Sequence, residues 1–200
     1  MNRFPGQLWA RKIRVKVRYY SSAIISVPLS SVYTWAISGN SPYDPDFTFV
    51  GSVSNSWTTL TSLYGKYMCT YSKVTCVMQQ IDNTISRVNL TTCKRTVTGA
   101  SPGTLANAIA QPDVQNRWFF NNGQDNSPKM KVTSKGSTRG ILGRNLDPSY
   151  DRVNMNADPA EEWVHLFQWW NSYTSAAQVF VAFYVSYWCE LSEPTLASTT

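Results

Sequence analysis

From Lys12 the chain alternates without a break: Lys12, Arg14, Lys16 and Arg18 fall on one parity, and Ile13, Val15, Val17 and Tyr19 on the other. Side chains of a β-strand point to opposite faces with a period of two, so this pattern predicts one strand with an apolar face and a cationic face. A helix would scatter the same charges around its circumference. A Ser-rich connection is expected from Ser21 to Ser30, followed by a second strand over Val32–Ile37. Gly39 to Asp46 reads as a long loop. Tyr67–Gln80 predicts a third strand with Val74, Cys76 and Met78 on one face. Asp82-Asn83 turns the chain into a fourth, Ile85–Val97, rich in Thr and Val. Arg117–Phe120 reads as a compact strand or anchor, and Asn121–Pro128 as a polar turn. Lys129–Lys135 and Trp163–Trp170 read as further strands. Two short helices are expected, Trp57–Leu63 capped by Asn55 or Ser56, and Thr104–Ala110 ending before Pro112.

The last strand, Gln178–Leu191, is the most informative. Val179, Val181, Phe183, Val185 and Tyr187 form a pure core face, yet Phe180, Ala182, Tyr184 and Trp188 make the other face largely apolar as well. A strand of that kind belongs in the centre of a covered sheet. About eight strands with long connections predict an all-β fold, a single eight-stranded jelly roll of two packed antiparallel sheets. Residues 1–10 form an arm in which Pro5-Gly6 turns and Trp9 anchors. Residues 11–191 form the jelly-roll domain, and residues 192–200 a polar tail.

Charge sharpens this picture. Arg3, Arg11, Lys12, Arg14, Lys16 and Arg18 precede the first acid, Asp44, and the rest of the chain is balanced, so the formal net charge of +6 sits in the first 18 residues. A merely solvated face usually mixes signs. One-signed charge on a strand points instead to a polyanion, above all nucleic acid. Phe180, Tyr184 and Trp188 share one face of the last strand, and would flank the cationic stripe if the first and last strands are neighbours. Basic side chains beside stacking aromatics are the ingredients of a single-strand binding surface. Lys73 is a secondary cationic candidate.

Catalytic parts are scarce. The one histidine, His165, lies among strand hydrophobics and reads as a packed residue. Asp44-Pro45-Asp46 reads as a turn, Glu161-Glu162 as a solvated strand entry, and Gly136, Gly140 and Gly143 match no phosphate loop. No catalytic residue, metal or cofactor is assigned. Cys69, Cys76, Cys93 and Cys189 form no CxxC pair and read as buried, reduced thiols, and Cys69 and Cys76 should face opposite ways on a shared strand. The sequon Asn89-Leu90-Thr91 is read as coincidental. No signal peptide is expected, because Arg11 to Arg18 interrupts any apolar segment. Nor is a membrane partner, since the longest apolar run, Val179–Tyr187, is too short to span. Trp9, Trp57, Trp118, Trp169 and Trp170 are more aromatic surface than one sandwich readily hides, and are expected at contacts between subunits.

Five stretches, in order, resemble the capsid proteins of small circular, Rep-encoding single-stranded DNA viruses, the circovirus-like group. They are Gly39–Asp46, Leu63–Tyr67 leading into Tyr71–Val74, Lys131–Gly143, Asp158–Trp163, and the aromatic closing strand Val179–Leu191. The resemblance implies a single jelly roll that self-assembles into a small icosahedral (T=1) shell around single-stranded DNA. It further implies a basic segment facing the lumen, residence in the virion with assembly in the host nucleus, and no enzymatic activity. No receptor is nominated. The first 18 residues depart from the family's longer, denser basic arm. Roughly sixty copies would bring about 360 positive charges, each neutralising about one phosphate. Two other readings stay open: a small RNA virus coat, since phosphate contacts do not distinguish the sugars, and a carbohydrate-binding lectin that stacks sugars on Trp57 or Tyr43. A cupin-type oxygenase would need more metal ligands than one histidine offers.

Overall fold

The computed structural model describes residues 11–48, 53, 55–83, 85–97, 101–111, 113–121, 129–172 and 175–195. Arg3 and Trp9, the rest of the arm, the turn over 122–128 and the tail beyond residue 195 lie outside them. In chain order the elements are β1 (Lys12–Val27), β2 (Val32–Ser38), α1 (Asn55–Leu63), β3 (Tyr64–Gln80), β4 (Ser86–Thr96), α2 (Leu105–Ile109), β5 (Gln115–Asn121), β6 (Met130–Ser137), α3 (Thr138–Leu142), β7 (Val153–Asn154), β8 (Trp163–Asn171) and β9 (Ala177–Pro194). One sheet runs β1-β9-β3-β6, with the two-residue β7 paired to β3, and the other runs β2-β8-β4-β5. Strands β1, β2, β3 and β4 cross from sheet to sheet in turn, and the chain closes by pairing β9 with β1. This is a jelly roll.

β9 lies between β1 and β3, as its two apolar faces require. Val179, Val181, Phe183, Val185 and Tyr187 point into the sandwich and are buried. Phe183 sits at the centre of the core, with the rings of Trp35 and Phe167 edge-on at 4.9 and 5.0 Å. Trp57, Trp169 and Trp170 are buried within this one chain, contrary to their expected place between subunits. Trp169 points into the sandwich beside Phe183, Trp57 packs edge-on against Tyr67 at 4.8 Å, and Trp170 is hidden on the outer side of the β2-β8-β4-β5 sheet. There Trp170 donates its indole N–H to Thr91 Oγ1 at 3.1 Å, and Gln168 donates to the Pro102 carbonyl at 3.2 Å. Trp118 alone of the described tryptophans in that expectation is exposed.

Two strand readings need correction. The stretch Ser21–Val27 is not a connection: β1 continues through it, paired with β9 to Val27↔Ala177. Ser22 and Ser26 take the exposed parity while Ile25 and Val27 are buried, so the period of two simply persists through the serines. Cys69 and Cys76 do not face opposite ways. The β3–β9 register shifts between Cys69 and Tyr71, where Thr70 forms a β-bulge, and the extra residue inverts the parity of the remainder of the strand. Both thiols therefore enter the same core, and all four cysteines are buried and free.

Three of the stretches singled out in the sequence, Gly39–Asp46, Lys131–Gly143 and Asp158–Trp163, meet at Trp163. Its ring fills the space where a Cβ would stand on Gly39 or Gly136, with a ring atom 2.6 Å from that position at Gly136 and closer still at Gly39. Asn40 accepts the Trp163 backbone N–H at 3.2 Å and donates to the Glu161 carbonyl at 2.8 Å. Thr138, which begins α3, accepts the indole N–H at 3.3 Å and donates to the Cys69 carbonyl at 2.8 Å. α3 is not one of the two helices expected from the sequence. It is capped by Ser137, whose hydroxyl accepts the Gly140 N–H, and it ends at Gly143 in the left-handed conformation (φ 69°) that glycine adopts without strain. Two of the three glycines in that stretch are thus accounted for by packing and capping.

Candidate nucleic-acid interface

The outward face of the β1-β9-β3-β6 sheet is built by parity. With Val15, Val17 and Tyr19 turned toward the core, Lys12, Arg14, Lys16 and Arg18 must point out. Pairing then sets their neighbours. Lys16 lies opposite Trp188, and Tyr71 comes next on β3. Arg18 lies opposite Ser186, then Lys73 on β3 and Lys135 on β6. Tyr20 lies opposite Tyr184, then Thr75 and Thr133. Ile24 lies opposite Phe180.

These rows surround a depression of about 800 Å³, lined by Lys16, Arg18, Tyr20, Tyr71, Lys73, Lys135, Tyr184, Ser186 and Trp188. A second one, of about 770 Å³, continues toward Arg14, Met68, Thr70 and Glu190. The structure thus brings together Arg14, Lys16, Arg18, Lys73, Tyr184 and Trp188 from the sequence reading. Phe180 lies further along, past Ala182. Arg11 is exposed just before β1.

Two features could not be read from linear order. The cationic stripe is not one-signed: Glu190 projects into it, 3.4 Å from Lys12 and 2.5 Å from Arg152. And Lys131, Lys135 and Tyr71 join the face only because β3 and β6 lie beside β9, whereas Tyr20 continues the parity of Lys12 to Arg18 past the expected strand end. The alternation of Lys129, Lys131 and Lys135 with Met130, Val132 and Ser134 carried the signal for β6. The aromatics differ in their surroundings. The Lys16 ammonium stands 4.8 Å from the centre of the Trp188 ring, and Tyr71 packs against the same ring at 5.0 Å. Tyr20 and Tyr184 are each 53% exposed, with ring centres 5.1 Å apart.

Elsewhere, the remaining candidates serve the scaffold. His165 is fully enclosed between the sheets, with Nε2 2.9 Å from Ser72 Oγ and Nδ1 2.8 Å from Ser134 Oγ. Burial, and secondarily the charge of Lys94, push its pKa down to about 3, so it is a neutral packed ring. Asp46 is buried and accepts the Trp35 indole N–H at 2.8 Å, which makes the Asp44–Asp46 turn an anchor for β2. Glu161 joins Asp151 in holding the Arg144 guanidinium, both at 2.7 Å. Its neighbour Glu162 is not the solvated residue expected. It is half-buried, and burial together with Asp158 and Asp44 raises its carboxyl to about 7. Asn89 of the sequon is buried in β4. Among the described residues no three His, Cys, Asp or Glu side chains are grouped to hold a metal, and no helix is long and apolar enough to cross a membrane.

No family model and no curated protein sequence matches this chain. Solved virus structures share its fold. A chain from Cucumber Leaf Spot Virus aligns at a TM-score of 0.56 and 14% identity, over 94% of this chain and 53% of that one. One from Cocksfoot mottle virus aligns at 0.54 and 10% identity, over 94% and 98%. One from Mud crab tombus-like virus aligns at 0.51 and 12% identity, over 100% and 89%. The fold is therefore the jelly roll that these virus structures contain, reached through a sequence with little residual similarity to them.

Proposed function

We propose that this chain is a viral capsid protein. Copies of it self-assemble into an icosahedral shell, and the outward face of the β1-β9-β3-β6 sheet lies against packaged single-stranded DNA. The observation that carries this reading is the cation- and aromatic-lined sheet face on a virus-type jelly roll. Phosphate charge and exposed base faces are what such a surface complements. Closed point-group assembly of about sixty copies, the T=1 shell, comes from the family resemblance and gives each copy identical contacts. The site residues are Arg11, Lys12, Arg14, Lys16, Arg18 and Lys73, with Arg3 contributed by the arm. The role is structural, and the location is the virion.

A coat protein of a small RNA virus is the second reading, since the cations and rings of this face suit the phosphates and bases of either nucleic acid. Of the two platforms the lectin alternative offers, Trp57 is buried and donates its indole N–H to the Met155 carbonyl at 3.1 Å, and Tyr43 is partly buried against the core.

The test is size-exclusion chromatography with light scattering and the 260/280 nm absorbance ratio, before and after nuclease. A megadalton particle with nuclease-protected cargo is expected, and DNase against RNase on the extracted cargo separates the two virus readings. A lasting monomer without nucleic acid across salt and pH would overturn the capsid assignment.

A further inference from the structure

We infer that single-stranded nucleic acid crosses this sheet at right angles to its strands, with phosphates on Arg18, Lys73 and Lys135 and a base stacked on the Tyr20–Tyr184 pair. This rests on the outward face being the cargo surface, and it assigns the path and the stacking residues.

Linear order points to a different path, along β1 from Lys12 to Arg18. The fold spoils that track at its upper end. Glu190 lies opposite Arg14 and ion-pairs with both Lys12 and Arg152, so a phosphate there would meet a carboxylate. Further down, the Trp188 ring is already engaged by the Lys16 ammonium and by Tyr71. A base that stacked on it would have to displace one of them.

The next row is built differently. Arg18, Ser186, Lys73 and Lys135 lie side by side on β1, β9, β3 and β6. With strands ~4.8 Å apart, the three cations span about 14 Å across the sheet. No carboxylate occupies this row, the row above it or the two below it on these four strands. Ser186 is small, so the floor between Arg18 and Lys73 drops into the 800 Å³ depression. One row on, about 7 Å along the strands, Tyr20 and Tyr184 hold their rings tilted at 55° with more than half of each side chain exposed. The phosphate lane and the aromatic lane thus run parallel, with the depression between them. A duplex offers the cations its phosphates but keeps its base faces closed to the tyrosines; a single strand satisfies both lanes.

Fluorescence anisotropy with the full chain tests this, using a short oligo-dT, a duplex of equal length, and labelled inorganic polyphosphate, which has no bases. Lys73→Ser and Lys135→Ser should each weaken all three probes and lower the salt slope by about one, while Lys12→Ser, whose charge already faces Glu190, should weaken them less. Tyr184→Ala should weaken oligo-dT roughly tenfold and leave polyphosphate unchanged, and Tyr184→Phe should retain binding. If Lys12→Ser weakens oligo-dT as much as Lys135→Ser, the path along β1 is right and this one is wrong. Equal loss of oligo-dT and polyphosphate in Tyr184→Ala, with its melting temperature unchanged, would overturn the stacking role. Wild-type protein that binds none of the probes at low salt would overturn the cargo surface and this path together, whereas light scattering on the same sample reports shell assembly separately.

Discussion

Lys16 holds its ammonium 4.8 Å from the centre of the Trp188 ring, across the β1–β9 pairing that also sets their backbones opposite each other. The contact is intramolecular and half-exposed, so it fixes the indole in place. A double-mutant cycle of Lys16→Met and Trp188→Leu, read by urea unfolding, should give a coupling of about 0.5–1 kcal/mol. A coupling indistinguishable from zero would show that the ring is held by Tyr71 alone.

The Trp163 cradle should be the least forgiving place in the sandwich. A methyl group on Gly39 or Gly136 would stand well inside van der Waals contact with the indole. Gly136→Ala should destabilise by roughly 3 kcal/mol or more, at the upper end of overpacking costs. Gly103→Ala, with open space around it, is the control and should stay within about 0.5 kcal/mol. Matching denaturation midpoints for the two variants would refute the cradle.

His165→Ala removes the partner of two buried hydroxyls, Ser72 and Ser134, and leaves a cavity between the sheets. The expected loss is about 3–5 kcal/mol, measured by urea unfolding. The pH dependence has a definite sign. The folded pKa, about 3, lies below the ordinary 6.5, so the unfolded chain takes up the proton first. This residue's contribution to stability is complete above pH 6.5 and declines as the pH falls toward 3.

Glu162 acts in the opposite direction. Its folded pKa of about 7 lies above the ordinary 4.5, so the native state holds the proton longer and stability declines as pH rises from 4.5 through 7. Glu162→Gln should therefore be more stable than wild type above pH 7, and the advantage should shrink steadily down to pH 4.5. A pH-independent difference between the two proteins would rule out the titration.

Among the described tryptophans only Trp118 offers a large exposed indole, 55% accessible, with the Arg87 guanidinium 4.8 Å over its ring. An exposed Trp on the edge strand β5 stacked with an Arg of the adjacent β4 has the composition of an interface anchor. If the capsid reading holds, Trp118→Ser should abolish the large particle in light scattering while leaving the melting temperature within a few degrees. Undiminished assembly would place the shell contacts elsewhere.

Much of the fold was legible because it depends on parity. The alternation of β1, the two faces of β9 and the inward set Val74, Cys76 and Met78 all derive from period two and the need to bury apolar surface. The features that escaped depend on how distant segments are brought together. Ser21–Val27 resembles a connection because serine marks loops, yet pairing with β9 outweighs that local signal. The tryptophans look surplus until the pairing of distant strands shows that Trp57 and Trp169 share one core with Tyr67 and Phe183. In linear order Glu190 is an isolated acid at the end of a strand, and only the β1–β9 register sets it among the cations. Lys135 is visible as part of an alternating strand, but its membership of the basic face requires knowing that β6 lies beside β3.

The bulge at Thr70 carries one last implication. Upstream of it, Tyr67 and Cys69 are core residues; downstream, Val74, Cys76 and Met78 are, while Tyr71 and Lys73 look outward. Odd and even positions exchange meaning at a single residue. A variant lacking Thr70 would keep every other side chain of the strand and still turn half of it inside out, sending a tyrosine and a lysine into the sandwich. At this point the chain tolerates a change of letter far better than a change of length.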